Sequence, residues 1–189
     1  MSLTTLKGKV EQLIEKAQSG GGDTRFADLV VNRTVNELDN SITKIGNYAF
    51  YGCSLPADID FSNIKSIGAY GMYGAYGVTE LSFPNLTSLG EQSLRNMQRV
   101  TSVSLPLVRT LTTSCLNQMT ALKNVYIPEV TSLSMSVFAD SGIEEIDIPK
   151  LEYITAGYIF SGCRKLKKFR FYNKLKDRNG MNSSMFANC

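Results

Sequence analysis

IKSIGAYGMYGAYGVTELSFPN (residues 64–85), LTSLGEQSLRNMQRVTSVSLPL (86–107) and VRTLTTSCLNQMTALKNVYIPE (108–129) are three tandem copies of one 22-residue unit. Pro84, Pro106 and Pro128 recur at that spacing, and Pro149 follows 21 residues later. The apolar positions recur with them. Ile67, Leu89, Leu111 and Leu133 share one slot, and Met72, Leu94, Leu116 and Phe138 share a second. Val78, Val100, Leu122 and Ile143 fill a third. The alternating pairs Leu81/Phe83, Val103/Leu105, Val125/Ile127 and Ile146/Ile148 come last. Alternation over so few residues predicts a short strand with one buried face. Proline closes each strand because it has no N–H to give a ladder. The pairs Leu86/Leu89 and Val108/Leu111 predict a second short strand, and the piece 90–98 predicts one helical or 3₁₀ turn. A unit this short cannot bury its own apolar face, but stacked copies can. The predicted fold is therefore a mostly β solenoid with one continuous core.

The period lies in the leucine-rich-repeat range. ITKIGNYAFYGC (42–53) and IFSGC (159–163) resemble the BspA-like leucine-rich repeats. The match is carried by Ile45, Ala49, Phe50 and Cys53 and recurs more weakly in later copies over residues 42–189. The resemblance implies a curved solenoid with sheet on both sides, acting in adhesion and recognition.

Outward from the repeats, the chain divides into an N-terminal helix (1–18), a flexible linker (19–28), a capping strand (29–41) and the repeats (42–189). Leu3, Leu6, Val10, Leu13 and Ala17 fall at spacings of three and four, an a/d seam with Ser2 as N-cap. So short a helix is marginal alone in water. The seam must pack on the solenoid's end, on a partner, or on further copies in an oligomer such as a trimer. SGGGD (19–23) supplies flexibility. LVVNRTVNEL (29–38) alternates as a strand able to cover the first sheet edge. MSLTTLKGKVEQLIEK does not read as a signal peptide, and no stretch is apolar enough to span a bilayer as a helix. This opening, followed by IGNYAF (45–50), resembles a layout in tail-associated structural proteins of bacteriophages and prophages of Gram-positive hosts. The resemblance implies a virion setting with other tail proteins as partners, against the bacterial cell surface implied by the repeats.

Composition excludes some chemistry. Among 189 residues there is no histidine, which removes the commonest general base and zinc ligand. No Ser/His/Asp set, phosphate-binding loop or metal spacing is present. The expectation is a non-enzymatic protein without cofactor or metal. Net charge +3 does not demand a nucleic-acid partner.

Three constellations remain. GAYGMYGAYG (68–77) places Tyr70, Tyr73 and Tyr76 three residues apart, with Tyr48 and Tyr51 in matching slots one unit earlier. Rigid amphipathic rings among glycines suit a recognition patch for a host cell-surface protein or glycan. The alternative is rings that pack only on neighbouring turns. RKLKKFRFYNKLKDR (164–178) carries eight cations against one Asp. Leu166, Phe169 and Phe171 read as its core positions. Lys167, Lys168 and Arg170 then face Glu144, Glu145 and Asp147 of the previous unit, giving cross-strand ion pairs, with polyanion binding as the alternative. Cys53, Cys163 and Cys189 share one slot with Ala75, Met97 and Met119, and Cys115 shares the Ala49 slot; both slots read as buried. Cys53 and Cys163 are five layers apart, roughly 24 Å, and cannot bridge. Cys163 and Cys189 are close enough to pair or to stay free.

Overall fold

The computed structural model describes residue 38 and residues 41–177 and 179–189. The predicted helix with its seam Leu3, Leu6, Val10, Leu13 and Ala17, and the linker, lie outside the described residues. So does the capping strand, except Leu38 and Ser41. Neither of those two is in a strand, and Leu38 packs half-buried against the core.

Among the described residues eleven short strands form: β1 (Lys44–Ile45), β2 (Ser66–Ile67), β3 (Glu80–Ser82), β4 (Ser88–Leu89), β5 (Ser102–Ser104), β6 (Thr110–Leu111), β7 (Asn124–Tyr126), β8 (Ser132–Leu133), β9 (Glu145–Asp147), β10 (Tyr153–Ile154) and β11 (Lys168–Arg170). All pairing is parallel. The three-residue strands stack as β3-β5-β7 and β9-β11, and the two-residue strands as β1-β2-β4 and β6-β8-β10. Each pairing joins equivalent slots of consecutive units, such as Leu81 with Val103 and Val103 with Val125. The fold is a solenoid with sheet on two sides. Threonines reinforce it: the hydroxyls of Thr87, Thr101 and Thr131 donate to the carbonyls of Lys65, Thr79 and Arg109, each 22 residues back.

The core runs unbroken along the axis. Every residue in the first two apolar slots is buried, and Phe138 stacks on Phe160 at 5.5 Å. At about 25 cal/mol per Å² of apolar surface removed from water, this column is the main favourable term. The three apolar residues of the last turn's strand region differ from expectation. Leu166, Phe169 and Phe171 pack on the core but stay half-buried; among the described residues β11 pairs with β9 alone.

The third side corrects one expectation. No helix or 3₁₀ turn forms there among the described residues. The segment is a chain of tight turns whose N–H groups alternate in destination. Tyr48, Phe50 and Gly52 donate to Ala69, Gly71 and Tyr73 of the next turn, while Ala49, Tyr51 and Cys53 close local bonds to Gly46, Tyr48 and Phe50. A helix would need all these donors for itself. The alternation requires left-handed backbone at two positions per turn. Tyr48, Tyr70, Gln92, Ser114, Ser136 and Tyr158 form one such column, and Gly52, Gly74, Asn96, Gln118, Asp140 and Gly162 the other. Left-handed backbone costs a non-glycine residue roughly 1–2 kcal/mol. Inter-turn hydrogen bonds, each contributing about 0.5–1.5 kcal/mol net, offset it.

Each ladder is interrupted once: the two-residue ladder between β4 and β6, at a regular 22-residue step, and the three-residue ladder between β7 and β9. Strands β7 and β9 are not paired, and the step from Pro128 to Pro149 is the short one, 21 residues. Only Gly142 stands between the buried positions Ser141 and Ile143, where Thr120 and Ala121 fill the same place one turn earlier.

Candidate functional site

Tyr48 and Tyr70 occupy one left-handed column, and Tyr51 and Tyr73 a column three residues on. Stacking of turns brings the four together. Tyr48 lies on Tyr70 with ring centroids 4.9 Å apart and planes 5° from parallel, and Tyr51 lies on Tyr73 at 4.8 Å and 4°. Tilted contacts of 6.1 Å (Tyr48–Tyr51) and 5.9 Å (Tyr70–Tyr73) close the square. Each such pair adds about 0.5–1.5 kcal/mol beyond area burial. The rings do pack on neighbouring turns, yet they are not buried: Tyr48 is 47% and Tyr51 45% exposed. Tyr76 is exposed too but makes no ring contact with the four; its backbone bridges Ser54 instead.

Two residues missed in the sequence extend the patch. Gln92 and Arg95 are the equivalents of Tyr70 and Tyr73 one turn on. The Gln92 amide donates to the Tyr70 hydroxyl at 2.6 Å. Arg95 sits 5.8 Å from the Tyr73 ring centroid and donates to Gln92 Oε1 at 2.7 Å and Gln118 Oε1 at 3.2 Å. Their signal was the column position, since reading down each slot leads from the tyrosines to an amide and a guanidinium.

The stack decides what the patch can hold. Rings laid face to face leave no room for a ligand between them. They present edges and hydroxyls beside an amide and an anchored cation, a surface suited to another protein.

The basic stretch forms the expected pairs. Lys167 meets Glu144 at 2.8 Å, and Lys168 and Arg170 both reach Glu145, at 3.5 and 3.2 Å. Asp147 instead accepts from the Tyr172 hydroxyl at 3.0 Å, which raises the phenol above its ordinary range. The Lys167 ammonium holds the Glu144 carboxyl below its ordinary range through its hydrogen bond and charge. These groups are exposed, so the pairs contribute little to stability.

All four cysteines are thiols; Cys53, Cys115 and Cys163 are buried, but Cys189, whose slot reads as buried, is exposed. Cys163 donates to Phe138 O at 3.0 Å and Cys189 to Phe160 O at 2.9 Å, the same bond one turn apart. Burial pushes the Cys115 thiol up to about 12, against hydrogen bonds from Thr112 that act the other way. Among the described residues no group of three or more acidic, cysteine or histidine side chains is placed to hold a metal ion.

The family model of the BspA type leucine rich repeat region matches residues 22–144 and 96–189 in six copies. The chain belongs to the BspA type leucine-rich-repeat family. A leucine rich cell surface protein from Faecalibacterium prausnitzii A2-165 has a similar fold, with a TM-score of 0.63 at 21% identity over 73% of this chain and 38% of that one. A leucine-rich repeat protein from Bacteroides ovatus ATCC 8483 aligns at 20% identity and a TM-score of 0.41, over 72% of this chain and 55% of its own. This BspA-type chain thus spans well under two thirds of either protein. No curated relative matches it.

Proposed function

We propose that this BspA-type solenoid is a non-enzymatic recognition module that binds a protein on a host cell surface through Tyr48, Tyr51, Tyr70 and Tyr73, with Gln92 and Arg95. The observation that carries this is the four-ring square, held by stacking between turns, with Tyr48 and Tyr51 about half exposed and Tyr70 and Tyr73 partly buried beside them. Such a patch is stiff before it binds, so little side-chain entropy is lost on contact. Tyr76 takes no part in the square and is a peripheral contact at most.

The finer setting is also a proposal. The opening layout supports a phage tail protein that is made in a host cytoplasm, meets other tail proteins, and trimerises or docks through its N-terminal seam. The likeness to a leucine rich cell surface protein of Faecalibacterium supports the alternative, a bacterial surface adhesin. Labelled full chain incubated with intact Gram-positive cells, and separately with animal epithelial cells, tests both. Retention on the first favours the tail setting, and retention on the second the adhesin. Retention that persists undiminished in a Tyr48→Ala/Tyr51→Ala chain contradicts the patch. Retention on neither surface leaves a structural spacer and sinks the recognition proposal.

A further inference from the structure

Beyond that reading, we propose that the break between β7 and β9 is a second binding site, for one neutral sugar residue stacked on Tyr126. The unpaired strands open a cleft of about 300 Å³, at the lower end of volumes that hold a small ligand. Ser104, Asn124, Val125, Tyr126, Asp147 and Arg170 are among the residues that line it. Val125 is half-buried there, whereas its equivalents Val103 and Ile146 are 1% and 3% exposed, so the opening reaches an apolar floor.

Charge and ring geometry select the ligand. The Arg170 guanidinium is held by Glu145, with both terminal nitrogens within 3.3 Å of Oε2. Asp147 is engaged by Tyr172. Lys123, the other cation of the lining, lies in the field of the Glu144 carboxylate. A charged ligand would have to compete with these partners, while hydroxyls can bond to them and to Asn124 and Ser104 as they stand. Tyr126 is 60% exposed, and no other ring or cation among the described residues lies against it. Its face is open to the C–H face of a pyranose, which the faces pressed together in the four-ring square are not.

Saturation-transfer NMR on the full chain, with methyl β-galactopyranoside, methyl α-mannopyranoside and N-acetylglucosamine as probes at millimolar concentration, tests the site. The expected result is transfer to ring C–H protons of at least one sugar, weakened about tenfold or more by Tyr126→Ala and unchanged by Tyr48→Ala/Tyr51→Ala. The second pair also separates failure of this site from failure of the protein-binding patch. One alanine inserted after Gly142 restores the 22-residue step and is expected to close the cleft and lose the signal with Tyr126 in place. No transfer from any of the three sugars, or transfer that survives Tyr126→Ala, overturns the site. Binding that survives the insertion refutes the break as its basis. Amide shifts at Asn124 and Tyr126 with a tetra-alanine peptide but with none of the sugars would overturn it in favour of a peptide.

Discussion

Leu116 and Leu107 are the same side chain in adjoining copies of the repeat, and only their slots differ. Leu116 is 0% exposed, between Leu94 and Phe138 in the second apolar column, while Leu107, after the proline, is 46% exposed. Leu116→Ala removes three buried carbons, a transfer loss of about 2 kcal/mol. The walls cannot collapse into the space. Leu94 N donates to Cys115 O and Leu116 N to Val137 O, each at 3.1 Å, so the turns on both sides are tied at their spacing. A residual cavity then adds about 1–2 kcal/mol, for a total of about 3–4 kcal/mol. Leu107→Ala forfeits about half the transfer and leaves no closed cavity, a cost of about 1 kcal/mol. Urea unfolding followed by circular dichroism gives both values from midpoints and slopes. Equal costs at the two positions, or a loss under about 1.5 kcal/mol at Leu116, would refute the stacked core.

Three further outcomes follow from the same geometry. Cys115, with its thiol raised to about 12, should stay silent to a thiol-exchange reagent at neutral pH until the protein unfolds, while exposed Cys189 reacts at once. Because the folded value lies above the unfolded one, near 9, the unfolded chain holds fewer protons between the two. Stability should therefore fall as pH rises through that window, at up to about 1.4 kcal/mol per pH unit, and Cys115→Ala should flatten the slope. Glu144 is shifted the other way by Lys167, so its share of stability is present above the unfolded carboxyl range and lost as pH falls through the folded value. In Lys167→Ala, carboxyl NMR should show Glu144 titrating higher, and an unmoved Glu144 would mean that the pair does not form in solution. Gly90→Ala should destabilise by roughly 1–3 kcal/mol or more, since a Cβ there would run into the backbone of Gly68 and Ala69. Gly74→Asn should be nearly neutral, because its left-handed equivalent one turn on is already Asn96; thermal unfolding compares the two.

The strands and core were legible because a period of 22 repeats the same burial demand at the same slots. Reading Leu81, Val103 and Val125 as neighbours needs no more than that. The ion pairs of Lys167 and Lys168 followed from register alone. The turn side was not legible. Tyr48, Gln92 and Ser136 carry no local preference for left-handed backbone; they adopt it because the next turn claims every second N–H. Gln92 and Arg95 were not legible because the aromatic run lies along the chain, whereas the patch runs across it from turn to turn. The cleft at Tyr126 was signalled by the 21-residue step before Pro149, but one missing residue shows neither which ladder opens nor that the two-residue strands stay paired beside it.

The central claim is that the stacked tyrosine square binds a protein. Its most direct test is the dissociation constant of labelled full chain on intact cells that retain it, compared with the Tyr48→Ala/Tyr51→Ala chain at matched thermal stability. Loss of the two most exposed rings should weaken binding by about tenfold or more, and binding should disappear when the cells are first stripped with protease. Equal dissociation constants for the two chains, or binding indifferent to protease, would contradict it.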